Sequence, residues 1–63
     1  MKEFKIAAAD DGKKLDKWLI REMPAVTMGM RQKYFRLKRY KLNGHPAKAD
    51  SRLAAGDVLQ IYL

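Results

Sequence analysis

The chain has 63 residues, no cysteine and a formal net charge of +7. That length allows one small domain with a single marginal core, and the missing cysteines exclude a disulfide framework or a cysteine-built zinc site. Hydrophobic residues make up 48% of the chain, enough for such a core and too many for a disordered basic tail.

In chain order, Phe4 and Ile6 alternate with polar neighbours and predict a short strand. Asp10-Asp11-Gly12 is turn chemistry, and either aspartate is a candidate cap for the helix that follows. Leu15, Trp18, Leu19 and Met23 recur at helical spacing, and Pro24 ends that first helix. Thr27 is the candidate N-cap of a second helix running to about Lys38. Its apolar positions are Met30, Tyr34 and Leu37, with Met28 and Phe35 at the same i, i+7 spacing. Arg31 falls inside that arc and is expected to snorkel at its edge.

Arg39-Tyr40-Lys41-Leu42 alternates like a strand, and Asn43-Gly44 is a strong hairpin turn signal. The return arm, His45 to Ala49, carries Pro46 and is expected at a sheet edge. Ala55-Gly56-Asp57 turns the chain into a last strand predicted over Val58–Leu63. The expected fold class is α+β: two helices packed on a small, mainly antiparallel sheet, in one domain over residues 1–63. A terminus that is apolar to its last residue points to a piece of a longer polypeptide; the alternative is a small protein that ends by docking a strand. No apolar stretch resembles a signal peptide or a membrane span, so a cytoplasmic address is expected.

Charge is segregated along the chain. From Met23 to Ala49 there is no acid, while Arg31, Lys33, Arg36, Lys38, Arg39, Lys41 and Lys48 all fall there with the only histidine, His45. The seven bases outside this window balance the seven acids, so the window carries the whole net charge. One-sign patches of this kind select polyanionic partners, since arginine grips phosphate bidentately and lysine acts as a point charge. Nucleic acid fits better than an acidic membrane, because the apolar helix faces are needed for the core. An ordinary solvated face usually mixes signs. Trp18, Tyr34, Phe35 and Tyr40 are all expected to pack in the core before they stack on a base. Tyr40 borders the cations and is the best candidate to stack on a base.

No catalytic constellation is visible. A lone His45, with no carboxylate nearer in sequence than Asp50, builds neither a metal site nor a triad. Asp10, Asp11 and Asp57 read as caps and turns, and Asp16 as the partner of a base on its own helix. No glycine-rich phosphate loop is present, and no cofactor is expected.

Four linked motifs carry a resemblance. Gly12-x-Lys14-Leu15-Asp16-Lys17-Trp18-Leu19 resembles the helix-one opening of the ribosomal-protein-S-four-type RNA-binding domain, the alpha-L motif. Gln32-Lys33-Tyr34-Phe35-Arg36 is similar to its second helix, Lys41-Leu42-Asn43-Gly44-x-Pro46-x-Lys48 to its hairpin, and Arg52-Leu53-x-x-Gly56-Asp57-Val58 to its closing turn and strand. The early strand Phe4-x-Ile6 and the run from Tyr34 to Gly44 resemble the amino-terminal domain of ribosomal large-subunit pseudouridine synthases of the A/D type.

The resemblance implies an alpha-L RNA-binding fold that docks structured, ribosomal RNA. It also implies a catalytic domain in cis, so that this segment itself is not the enzyme. The implied contacts are Lys33, Arg36, Arg39 and Lys41, with Lys38, Arg31 and Lys48. The sequence departs from the family at Thr27-Met28, where serine-arginine is common, at Lys38, where glycine is common, and at Lys14, where arginine is usual. These departures shift weight onto Arg31 and Lys38. Lys14-Leu15-Asp16 belongs to the helix-one pattern, so Asp16 is not read as a catalytic aspartate. The alternatives are a stand-alone ribosome-associated factor, a protein-interaction module that has lost RNA binding, and a domain of another enzyme such as a tyrosyl-tRNA synthetase.

Overall fold

A computed structural model describes all residues, 1–63. Strand β1 covers Lys2–Lys5, helix α1 Leu15–Glu22, helix α2 Met28–Arg36, strand β2 Tyr40–Leu42, strand β3 His45–Pro46 and strand β4 Val58–Ile61. A single 3₁₀ turn, Ala8–Asp10, precedes α1. The fold is α+β, with two helices and one four-stranded antiparallel sheet in the order β1-β4-β2-β3. Sequence-distant β1 and β2 therefore both pair with β4: Phe4 and Leu42 each lie opposite Leu59, from either side. Pro46 sits on edge strand β3, where its missing N–H costs no ladder bond.

Alternation in β4 puts Leu59 and Ile61 on the helix side, both buried, while Val58 and Gln60 are half-buried on the other. Leu15, Trp18 and Leu19 of α1 meet them there, with Ile6, Tyr40 and Leu53 completing the core. Phe4 packs edge-on against Trp18 at a centroid distance of 5.4 Å. Strand β4 ends at Ile61, two residues short of the predicted end, although the Tyr62 amide still donates to the Arg39 carbonyl at 2.9 Å.

Neither aspartate caps α1. Its N-cap position is Lys14, with no side-chain bond. The Leu15 and Asp16 amides instead donate to the Ser51 and Ala49 carbonyls at 2.8 and 3.0 Å. Backbone from the 48–53 segment satisfies the donors that a side chain would otherwise meet. Asp10 is released for another task. It is buried, and Arg21 in the last turn of α1 grips it with two parallel bonds of 2.7 and 2.8 Å. Asp11 accepts from the Ala55 amide at 2.9 Å.

The Asn43-Gly44 turn has both residues at positive φ, 51° and 82°, the pairing that a two-residue hairpin of right-handed twist requires. Asn43 also reaches across to the turn before β4. Its Nδ2 donates to Asp57 Oδ1 at 3.1 Å and its Oδ1 accepts from the Val58 amide at 3.0 Å.

The Arg21 guanidinium holds the Asp10 carboxyl below its ordinary value of 3.8, against the opposing effect of burial. A carboxyl depressed in the fold stabilises above its unfolded pKa, and that stabilisation is lost as pH falls through the folded value. Urea melts are therefore expected to show Asp10→Asn weaker than wild type at pH 7, with the gap closing as the pH drops below about 4. A gap that persists undiminished at pH 3 would contradict the assignment.

Candidate nucleic-acid interface

Helix α2 decides which cations face out. Thr27 caps it as the sequence predicts, its Oγ accepting from the Met30 amide at 3.2 Å. The inward face is Arg31, Tyr34 and Phe35, at i, i+3 and i+4, which keeps Tyr34 and Phe35 of the predicted arc and leaves out its flanks at Met28, Met30 and Leu37. Met28, Met30 and Leu37 are exposed. The narrowing is electrostatic. Arg31 Nε donates to Asp16 Oδ1 at 2.6 Å, and the paired guanidinium lies with only 10% of its side chain exposed. With its charge met by α1, the Arg31 stem takes a core-facing position that an apolar residue would otherwise hold. Asp16 thus pairs across to α2, not with a base on its own helix, and Arg31 does not snorkel at the edge.

The helix ends in a Schellman arrangement. The Arg39 amide donates to the Tyr34 carbonyl at 2.9 Å and the Lys38 amide to the Phe35 carbonyl at 3.0 Å. Lys38 holds the left-handed position, φ 59°, which glycine normally fills. This motif stops α2 at Arg36 and turns the chain into β2, so Lys33, Arg36, Lys38 and Arg39 emerge together around one helix end. All four are exposed. The carbonyl end of a helix favours cations, which offsets part of their mutual repulsion.

Lys33 and Arg39 line a groove of about 220 Å³ with Tyr34, Leu37, Tyr62 and Leu63. Arg39 Nη1 donates to the Tyr62 carbonyl at 3.3 Å. The ammonium of Lys41 lies 5.0 Å from the centre of the Tyr62 ring. The structure thus gathers Lys33, Arg39 and Lys41 around Tyr62. Lys48 follows β3 in the segment that caps α1, and its amide donates to Ser51 Oγ at 2.9 Å. Of the seven bases in the acid-free window, Arg31 alone makes an ion pair. The other ion pairs use Lys13 and Arg21.

Tyr40 does not stack outward. It is 1% exposed, in contact with the Tyr34 and Phe35 rings at 6.2 and 4.6 Å. Its hydroxyl has no hydrogen-bond partner in the protein, and burial pushes its phenol pKa up. The aromatic ring that does border the cations is Tyr62. The sequence pattern gives no sign of this, since it predicts Tyr62 inside a strand extending to Leu63. Its position next to the Lys41 row was readable only from the β2–β4 register.

His45 is exposed on β3, and no group of three or more His, Asp or Glu side chains is gathered as a metal site. No helix is long and apolar enough to cross a membrane. Neither the family models nor the curated proteins compared with this chain give a significant match.

Two substitutions check this description in urea melts. Lys38→Gly is expected to gain about 1 kcal/mol by relieving the left-handed strain of an L residue. A loss would mean that the Lys38 side chain makes stabilising contacts. Tyr40→Phe removes an unpartnered buried hydroxyl and is expected to keep or raise stability by up to about 1 kcal/mol. Destabilisation beyond that would show that the hydroxyl is satisfied.

Proposed function

We propose that this chain is an RNA-binding module of the S-four type, docking structured RNA through the C-terminal end of α2 and the start of β2. The observation that carries the reading is a cluster of cations without ion-pair partners around the end of α2 and the start of β2. Lys33, Arg36, Lys38, Arg39 and Lys41 make no ion pair, while Asp10 and Asp16 are engaged by Arg21 and Arg31 and Asp57 by the Asn43 turn. Unpaired cations on a rigid helix end match a row of phosphates, which fix position without reading sequence. RNA duplexes and junctions are read mainly through backbone and shape, the kind of recognition this surface offers.

The folded roles of the motif residues also support the reading. Leu15, Trp18 and Leu19 of the first motif form the α1 side of the core. Asn43-Gly44 makes the tight hairpin, and Gly56-Asp57 the turn into β4, with Gly56 at φ 87°. In this proposal the module positions ribosomal RNA for a pseudouridine synthase catalytic domain in cis, and Arg31 serves the scaffold rather than the RNA.

The test is titration of a structured RNA at several salt concentrations. Wild type is expected to bind with a steep salt dependence. The triple variant Lys33→Ala, Arg36→Ala, Arg39→Ala is expected to bind more weakly across unrelated sequences. Its slope of log affinity against log salt is expected to flatten by about 0.7 for each phosphate that is no longer neutralised. Unchanged affinity and slope in the triple variant would sink the assignment.

A further inference from the structure

We propose that the groove between the end of α2 and Tyr62 is a subsite for one unpaired nucleobase, with Lys33 and Arg39 receiving the phosphates on either side of it. The inference rests on the RNA-binding reading and adds what that reading lacks, a feature that distinguishes one RNA structure from another.

The groove has the size, walls and rim that such an occupant needs. At about 220 Å³ it falls below the roughly 300–1,000 Å³ of sites for small-molecule ligands. Its walls are two tyrosines and two leucines, and its only other lining residues are cations. A planar, apolar-faced group attached to negative charge complements that combination, and a nucleotide is such a group. Tyr62 supplies the stacking surface. It is 36% exposed and lies just past the end of β4, with its main chain tied on both sides to Arg39. Lys41 lies over this ring, its ammonium 5.0 Å from the ring centre, and does not line the groove. A tyrosine fixed in this way presents a stacking face at little cost in side-chain freedom.

No acidic side chain lines the groove. A paired base has its faces covered by its neighbours in the helix and cannot enter. A bulged or looped-out base can.

The experiment compares two RNA hairpins, one fully paired and one identical except for a single bulged 2-aminopurine, whose fluorescence falls when it stacks. The wild-type chain is expected to bind the bulged hairpin about 5- to 150-fold more tightly, the range that one base–aromatic stack supplies, and to quench its fluorescence. Tyr62→Leu is expected to bring the affinity ratio near one and abolish the quench, and Tyr62→Phe to retain both. Equal affinity for the two hairpins without quenching overturns the subsite and leaves the RNA-binding proposal standing. So does a preference and quench that survive Tyr62→Leu. Failure to bind either hairpin at low salt overturns both.

Discussion

Everything in this domain depends on the last strand pairing on both sides. Val58–Ile61 is the only partner of β1 and the main partner of β2, so the two ends of the chain and its middle meet in one ladder. Leu59 and Ile61 are also among the most buried side chains. Without β4 the amino-terminal strand has no neighbour and the hairpin is a two-stranded ribbon, marginal by itself. These contacts span most of the sequence, so their closure entropy is met before the core repays it. The groove inherits the same dependence. Arg39 and Tyr62 come together because Tyr40 lies opposite Ile61, and the register carries the pairing one step further.

A second constraint is the placing of acids. Asp10 and Asp16 are each set opposite an arginine from a different part of the chain, and Asp57 is turned toward Asn43 and the Ala54 amide. Used as internal fasteners, they are withdrawn from the surface where the cations emerge. Arg31 is the exchange point. It belongs to the basic window by sequence and to the scaffold by structure, because Asp16 meets its charge below the surface. The remaining cations surround a helix carbonyl end, which favours them there. Lys38 stands in a position whose backbone suits glycine, so a charged side chain occupies that place at a conformational cost.

Local chemistry made much of the fold legible. Thr27, Asn43-Gly44, Gly56-Asp57 and the Leu15-Trp18-Leu19 spacing each act over a few residues, and each forms the element its sequence predicts. The errors came where a distant partner decides the outcome. Of the apolar arc expected on α2, Tyr34 and Phe35 turn inward and its flanks stay exposed, because Arg31 at its centre is apolar in effect only once Asp16, 15 residues earlier, is beside it. The Asp10 and Asp11 caps failed because backbone from the other end of the chain already served α1. The positions of Tyr40 and Tyr62 depend on distant pairing in the same way. Tyr40 borders Arg39 and Lys41 in sequence and Tyr62 has no basic neighbour, yet β2–β4 pairing buries Tyr40 beside Ile61 and leaves Tyr62 at the groove with Arg39 and Lys41 near it. The candidate cations, by contrast, were legible as a charge imbalance, and only Arg31 is withdrawn from the surface by an ion pair.

The chemistry of the groove sets what kind of selectivity the proposed site can have. Its lining has no amide or carboxylate side chain able to match a base edge with paired donors and acceptors. Tyrosine and leucine surfaces accept the face of any base, and the two cations are satisfied by phosphate. Such a site would sense whether a base is unpaired rather than which base it is. That would fit the proposed role of the surrounding cations, which contact a phosphate backbone without reading sequence. On the proposed reading, a module built in this way would locate an irregularity in a folded RNA without discriminating the nucleotide there.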